Sequence, residues 1–201
     1  MNERLQHFLK FYALDHKTLI FPFGSQVYGT CTAKSDWDYL AVIPDSFAIG
    51  TGTEYNHNKV NVHIYKKKDW QDQLNQHKIH TLEAYYLPDN VCRTNFKFNL
   101  SLSALRHELS QKASNSFVKA KKKIEVEKDF LVGWKSLFHS LRILDFGIQI
   151  ATKGCIENYS SCNLHWQDII NNPQYEWDYY KKKYQPVYND LATEFRKAAP
   201  K

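Results

Sequence analysis

The chain has 201 residues, 43% of them hydrophobic and 15% aromatic, and its formal net charge is +6 at pH 7. This composition excludes a disordered chain and predicts one or two compact units with a sizeable core. No apolar run reaches about 18 residues, and the N-terminal residues lack the apolar core of a signal peptide. We therefore expect a cytoplasmic protein without a membrane partner.

Strand patterns dominate the first half of the chain. Residues 18–23 and 37–43 are apolar enough for two buried strands, joined by a tight turn and a short helix. Residues 59–65 alternate between apolar and polar side chains and predict a third strand, while residues 44–58 predict a loop beside a substrate cleft. The other elements predicted in this half are short helices over residues 69–76 and 81–86 and a weakly alternating strand over residues 93–98.

The pattern becomes helical after Leu100. Residues 102–128 predict one or two helices, and residues 129–152 predict the clearest helix of the chain, which Gly154 ends. The apolar stripe of this helix consists of Leu131, Trp134, Phe138, Leu141 and Ile148. We expect two domains, a sheet-containing core over residues 1–100 and a helical substrate-binding domain over residues 101–201.

A Gly-Ser pair precedes two aspartates that alternate with bulky residues. Asp36 and Asp38 are two apart on a predicted strand, so their carboxylates face the same way and repel each other unless a cation lies between them. Mg²⁺ or Mn²⁺ fits such a pair, because Mg²⁺ combines one or two carboxylates with substrate phosphates. Gly24 permits close approach of a phosphate to the backbone, and Ser25, at the start of a predicted helix, offers hydroxyl and amide donors.

These residues resemble the signature of the polymerase β-like nucleotidyltransferase superfamily. The matching positions are Phe23, Gly24, Ser25, Asp36 and Asp38, and the longer segment GSQVYGTCTAKSD, with Tyr28, Gly29 and Ser35, is similar to small stand-alone members from bacteria and their viruses. The resemblance implies transfer of a nucleoside monophosphate from an NTP to an acceptor, with release of pyrophosphate. With the strand and helix patterns it predicts an α+β fold: a mixed sheet with flanking helices, followed by a bundle-like helical domain.

The chain departs from this resemblance at its third acid, which should fall at Asn61. An amide oxygen can ligate Mg²⁺, so we retain Asn61 with Asp36 and Asp38 as candidate metal ligands, but an amide cannot accept a proton from an attacking hydroxyl. Three interpretations are open. The protein is a degenerate nucleotide binder, it uses His63 as the base beside a weakened metal site, or Asn61 is an engineered replacement that traps a substrate complex.

Lys135, His139 and Arg142 are spaced i, i+4 and i+7, so they share one face of the predicted helix. Three basic or near-basic groups on one face favour an anion site, and a polar flank with a structural histidine is the alternative. The segment KSLFHSLRIL resembles a Lys, His and Arg pattern in minimal nucleotidyltransferases. The same resemblance implies that a serine and a lysine of the preceding helix contact the triphosphate, and Ser116 and Lys119 are our candidates.

Basic residues are concentrated in two segments, one from Lys112 to Lys128 and one from Lys181 to Lys183. They favour an anionic partner: an NTP, a nucleic-acid backbone or both. The C-terminal aromatic residues can stack on bases or pack helices, and packing is favoured. These aromatic residues are Trp166, Trp177, Tyr179, Tyr180, Tyr184 and Tyr188.

We expect an RNA acceptor, such as a tRNA end, ahead of a protein acceptor. A catalytically degenerate nucleotide- or RNA-binding protein, and a protein-modifying nucleotidyltransferase that regulates a partner, are the alternatives. The four cysteines show no CxxC spacing, so unpaired thiols are favoured over a zinc site at Cys155, Cys162 and His165.

Overall fold

The computed structural model describes residues 5–14, 17–89 and 91–200. The chain divides into two compact units, Met1–Asn99 and Leu100–Lys201. The first unit contains a four-stranded mixed sheet, and the second is built from helices. The α+β class predicted from the sequence pattern is therefore confirmed.

The sheet of the first unit has the strand order β1-β2-β4-β3. Strand β1 pairs antiparallel with β2, β2 pairs parallel with β4, and β4 pairs antiparallel with β3. The strands are β1 Leu19–Phe23, β2 Trp37–Ile43, β3 Glu54–His57 and β4 Val60–Lys66. The parallel pair places the N-terminal ends of the two central strands side by side.

The two faces of the sheet have different cover. Alternate residues of β2 and β4, including Tyr39, Val62 and Ile64, are buried against Phe8 of helix α1 Gln6–Phe11. On the opposite face, the rings of Phe21 and Trp70 stack with centroids 5.6 Å apart. Trp70 belongs to α3 Lys67–Asn75, which precedes α4 Ile79–Tyr85.

Strand β3 lies inside the segment predicted to be a loop, so that prediction is wrong over Glu54–His57. Asn58 and Lys59 have φ values of 47° and 62° and form the two-residue turn that joins β3 to β4. Such turns normally carry glycine, so this Asn-Lys turn does not have the residues from which a hairpin is predicted. Only Tyr55 of β3 is buried, so the strand also lacks a strong apolar alternation.

The strand predicted over residues 93–98 is wrong, because α5 Val91–Asn95 is a short helix there. Asp89 accepts a hydrogen bond from the Val91 N–H at 3.1 Å, and an aspartate in that place stabilises the first turn of a helix. Thr94 and Asn95 donate side-chain hydrogen bonds back to the Val91 carbonyl. These local bonds outweigh the weak alternation of the segment.

Four helices form the described part of the second unit: α6 Leu102–Glu125, α7 Phe130–Lys153, α8 Asn163–Asn171 and α9 Trp177–Ala198. The segment predicted to hold one or two helices thus contains a single long one, which ends at Glu125 and which Ser101 caps by accepting from the Ala104 N–H. Asp129 caps α7 through the Val132 N–H, and Gly154 ends it in the left-handed conformation, as the sequence predicts.

The core of the second unit lies between α6, α7, α8 and α9 and includes Ile124, Leu137, Ile169 and Tyr180. Gly147 permits close packing of α7 against α9, since a Cβ there would lie 2.7 Å from Phe195 Cζ. One member of the predicted apolar stripe is misplaced: Leu131 is 53% exposed. It lies in the first turn of α7, outside the packed region.

Tyr184, like Tyr180 and Trp177, is buried in this core. The C-terminal aromatic residues therefore mainly pack helices. No helix among the described residues is long and apolar enough to cross a membrane.

Candidate functional site

The first candidate site lies where β1 ends beside the start of β2. Phe23 pairs with Asp38 across the antiparallel ladder, so Gly24 directly follows the residue opposite that carboxylate. Gly24 has φ +75°, and a Cβ built on it would lie 2.5 Å from Asp38 Oδ2. Both the backbone conformation and the close approach require glycine here.

Asp36, Asp38 and Asn61 come together at this end of the sheet. Asp38 and Asn61 are directly paired in the parallel ladder. The Asn61 amide donates to Asp38 Oδ1 at 3.1 Å and, more weakly, to Asp36 Oδ2 at 3.5 Å. Asp36 is exposed, whereas Asp38 and Asn61 are half-buried, so the group is open to solvent on one side. We call these three residues the carboxylate site.

The β3–β4 hairpin fixes the position of Asn61. The Lys59 carbonyl, in the hairpin turn, accepts a hydrogen bond from the Trp37 N–H at 2.7 Å. This bond joins the turn to the residue between the two aspartates. The register of the parallel pair then places Asn61 beside Asp38.

Ser25 begins the single-turn helix α2 Ser25–Tyr28, which Gly29 ends with φ 70°. Val27 donates the first hydrogen bond of this turn, to the Gly24 carbonyl. The N–H groups before Val27 come ahead of that bond, so they point away from the helix body. Tyr28 is buried, and its hydroxyl donates to Glu83 Oε2 at 2.7 Å. Glu83, on α4, thus anchors α2, a contact that sequence reasoning missed.

Ser35 organises the turn that leads into Asp36. Its hydroxyl accepts a hydrogen bond from the Thr32 N–H at 2.9 Å, and its own N–H donates to the Thr32 carbonyl at 3.0 Å. This mutual pairing fixes the chain immediately before the carboxylates. Ser35 is therefore placed next to the carboxylate site, with its hydroxyl engaged in the turn.

His63 lies two residues beyond Asn61 on β4, on the same face of the sheet. Its Nδ1 is 3.2 Å from Oε1 of Glu54, the residue directly opposite on β3. A carboxylate partner at Nδ1 favours the tautomer in which Nε2 carries the free lone pair. Glu54 was not a candidate from the sequence, because its strand was predicted to be loop.

The carboxylate site fits a divalent cation by the chemistry of its donors. Asp36 and Asp38 supply hard oxygen ligands, and Asn61 supplies an amide oxygen once its amide is turned over. No group of three or more His, Cys, Asp or Glu side chains in the described part of the chain is arranged to hold a metal. The set is thus two carboxylates and one amide, one negative charge fewer than three carboxylates would give.

Cys155, Cys162 and His165 form no such group, and all four cysteines are free thiols.

The second candidate site lies on the α6–α7 pair, within the helical unit. His139 Nδ1 is 2.8 Å from Arg142 Nη2, and Arg142 is only 5% exposed. The guanidinium lies over the Phe138 and Phe146 rings at 5.5 and 5.7 Å. Burial, followed by the positive charges of Arg142, Lys112 and Lys119, holds the pKa of His139 well below its ordinary value. His139 is therefore neutral near pH 7 and accepts the hydrogen bond from Arg142.

Ser116 and Lys119 lie on the face of α6 that is directed towards His139. Lys112, Ser116 and Lys119 are spaced i, i+4 and i+7, and both lysines are exposed while Ser116 is buried. Lys135 is exposed one turn before His139 on α7. We call Lys112, Lys119, His139 and Arg142 the basic cluster.

Other lysines of the charged segments are neutralised by neighbours. Lys121 lies 3.5 Å from Glu125, and Lys122 lies 3.2 Å from Glu127. Lys183 lies 2.7 Å from Asp168. The charges of these lysines are therefore balanced by local carboxylates. The charges of Lys112 and Lys119, in contrast, act on His139 and lower its pKa.

No known protein family matches the chain, and no curated protein matches it. The resemblance to nucleotidyltransferases therefore depends on the motif residues alone.

Proposed function

We propose that the protein is a metal-dependent nucleotidyltransferase, which moves a nucleoside monophosphate from an NTP to an acceptor hydroxyl. The observation that carries this proposal is the meeting of Gly24, Asp36, Asp38 and Asn61 at one end of the sheet. Because Gly24 has no side chain, the backbone after β1 can lie directly against the Asp38 carboxylate, beside the proposed metal and phosphates. An RNA acceptor is favoured over a protein acceptor by the positive charge of the chain.

In this proposal Asp36 and Asp38 hold Mg²⁺ or Mn²⁺. When bound, the cation neutralises charge on the phosphates of the substrate. Ser25 and the first N–H groups of α2 orient the terminal phosphates. The basic cluster is a candidate for further phosphate contacts within the second unit.

The proton of the acceptor hydroxyl needs a base that Asn61 cannot provide. His63 is the candidate, because Glu54 holds its Nδ1 and leaves Nε2 free to accept. The acceptor oxygen forms a bond to the α-phosphorus, the bond from that phosphorus to the bridging oxygen breaks, and pyrophosphate leaves. Because Asn61 cannot act as the base, it slows the chemistry much more than it weakens NTP binding.

A second candidate function, nucleotide binding without transfer, is favoured by the hydrogen bonds of Asn61. Its amide donates to both carboxylates and so partly fulfils the role of a cation between them. A protein with this arrangement binds a nucleotide and has no base at position 61.

The test compares the natural chain with Asn61→Asp. Each is incubated with α-³²P-labelled NTPs, Mg²⁺ and a lysate that contains RNA and protein, and products are separated after nuclease or protease treatment. We expect stronger label transfer by Asn61→Asp, to a nuclease-sensitive product. Asn58→Asp, the same chemical change in the adjacent turn, is the matched control and should leave transfer unchanged.

NTP binding separates the remaining outcomes. Binding by both proteins without label transfer supports the nucleotide-binding alternative. A protease-sensitive product identifies a protein acceptor. Failure of the natural chain to bind any NTP with Mg²⁺, or equal binding by an Asp38→Asn variant, contradicts both functions.

A further inference from the structure

A cavity of about 710 Å³ opens between α6, α7 and α9 of the helical unit. Its volume falls in the range of about 300–1,000 Å³ that is typical of ligand sites. Arg106 and Arg196 supply its charged groups, His107 also lines it, and no carboxylate belongs to the described residues that line it. The cavity therefore suits an anionic ligand.

This cavity is separate from the basic cluster. At about 100° per residue, Leu144, which lines the cavity, lies about 140° to 180° round α7 from Lys135, His139 and Arg142. On α6, Arg106, His107 and Ser110 lie about 120° to 180° round the helix from Lys112 and Lys119. The helical unit thus has two basic surfaces on different sides.

The basic surface continues along α9. Asn189 lines the first cavity and also a second one of about 440 Å³, which Lys181, Lys182 and Gln185 border. Together with Arg196 these residues fall within about 100° of one another round α9. From Lys181 to Arg196 the surface extends about 22 Å along the helix. Such a length exceeds that of a single phosphate group and fits a strand of linked phosphates.

The charge of this surface is little opposed by carboxylates. Asp178 borders the second cavity and Asp190 lies about 80° round α9 from Lys182, whereas Glu194 lies about 120° or more from Lys181, Lys182 and Arg196. Arg196 donates to Thr193 Oγ1 at 2.7 Å, a neutral partner that leaves its charge available. Lys181, Lys182 and Lys183 are all exposed, but Lys183 is paired with Asp168.

Uncharged groups in the first cavity favour nucleic acid over an acidic peptide. Tyr188 and Ala192 are half-buried and, with the fully buried Leu144, make part of the cavity apolar, so that the flat face of a base can lie there. Gln111 and Asn189 add amides, which hydrogen-bond to base edges. A glutamate-rich peptide would use the cations but neither of these features.

We propose that this surface binds a single strand of nucleic acid, with its phosphates on Arg106, Arg196 and the α9 lysines. The inference goes beyond nucleotidyl transfer and stands without it. An RNA strand and a DNA strand share the chemistry that the surface recognises.

The test measures fluorescence anisotropy of labelled RNA and DNA strands of about 12 nucleotides with the full chain. NTP and divalent metal are left out, so the result is independent of catalysis. The test variant is Arg106→Gln/Arg196→Gln, and the control is Lys122→Gln/Lys197→Gln. The control removes the same charge, and Lys197 lies next to Arg196 but about 100° round α9.

We expect the natural chain to bind, with the test variant about tenfold weaker and the control within about twofold. The slope of log affinity against log salt, between about 50 and 200 mM, should fall by about 0.7 for each lost phosphate contact. A 2′-hydroxyl requirement would appear as preference for RNA. Circular dichroism and thermal unfolding of each variant check that the helices are intact.

Three results would overturn the proposal. They are no binding of either strand by the natural chain at low salt, equal weakening by the test and control variants, and equally tight, Arg106- and Arg196-dependent binding of a glutamate-rich peptide. The last result would assign the surface to a protein partner.

Discussion

Gly24 connects backbone conformation to the chemistry of the carboxylate site. Its φ of +75° is in the region that side chains rarely adopt, and a Cβ there would lie 2.5 Å from Asp38 Oδ2. A side chain at position 24 would therefore both strain the chain and displace a carboxylate. These two effects can be separated, because Gly52 also has a positive φ, of +86°, with nothing within 4 Å of its Cβ position.

We predict that Gly24→Ala lowers the free energy of unfolding by about 2 kcal/mol and Gly52→Ala by about 1 kcal/mol. The additional loss at position 24 comes from the contact with Asp38. Only Gly24→Ala should weaken binding of an NTP with Mg²⁺, since only it moves a proposed ligand. Urea unfolding and titration with NTP measure the two effects. Equal losses in the two variants would contradict the role assigned to the Asp38 contact.

The residues of the carboxylate site differ in how far sequence could predict them. Asp38 belongs to β2 and Asp36 directly precedes it, and a local spacing was enough to predict that their carboxylates lie together. The alternation of its own strand was enough to place Asn61 at the position of the third acid. Glu54 and Glu83 could not, because each acts through a partner on another element: Glu54 contacts His63 from β3, and Glu83 contacts Tyr28 from α4.

The α6–α7 pair illustrates electrostatics at the scale of elements. The connection between the two helices is short, so they pack as antiparallel neighbours. Charges on α6 therefore act on a histidine of α7. Burial is the largest cause of the lowered pKa of His139, and Arg142, Lys112 and Lys119 add to it.

This lowered pKa makes the stability of the protein sensitive to acid. Below the ordinary histidine pKa, the unfolded chain binds a proton at His139 that the folded chain does not, so unfolding becomes more favourable as pH falls. We predict that His139→Gln removes this component, which is at most about 1.4 kcal/mol per pH unit. Urea unfolding between about pH 7 and pH 5 measures the difference.

His165 provides a comparison within the same unit. Burial also lowers its pKa, so a smaller loss of stability in acid should persist in the His139→Gln protein. An identical pH dependence of the variant and the natural chain would contradict the lowered pKa of His139, since it would show that His139 binds its proton equally in the folded and unfolded states.

Long or strongly patterned elements were predictable, and short ones were not. Strand β2 has the bounds expected from its apolar run, and α7 ends at Gly154, as expected. Strand β3 was missed, because pairing with β4 stabilises it rather than its own composition. Helix α5 was predicted as a strand, because its local side-chain hydrogen bonds leave little trace in apolar periodicity.

At the scale of the whole molecule, each unit has a hydrophobic core of its own. The core that contains Phe8, Ile64 and Tyr39 belongs to the first unit. The core that contains Ile124, Leu137 and Tyr184 belongs to the second. Each unit has about one hundred residues, a size at which a single core commonly supports independent folding.

We predict that residues 100–201, expressed alone, unfold cooperatively in urea with a stability of about 5 kcal/mol or more. Leu137 is fully buried in the core of this unit, so Leu137→Ala should cost about 2–5 kcal/mol both in this fragment and in the corresponding transition of the full chain. Circular dichroism follows both transitions. A fragment without a cooperative transition, or a Leu137→Ala cost that differs between fragment and full chain, would show that the helical core depends on the first unit. Equal costs would instead establish that the packing of α6, α7 and α9 is sufficient to fold the surface on which we place the nucleic-acid strand.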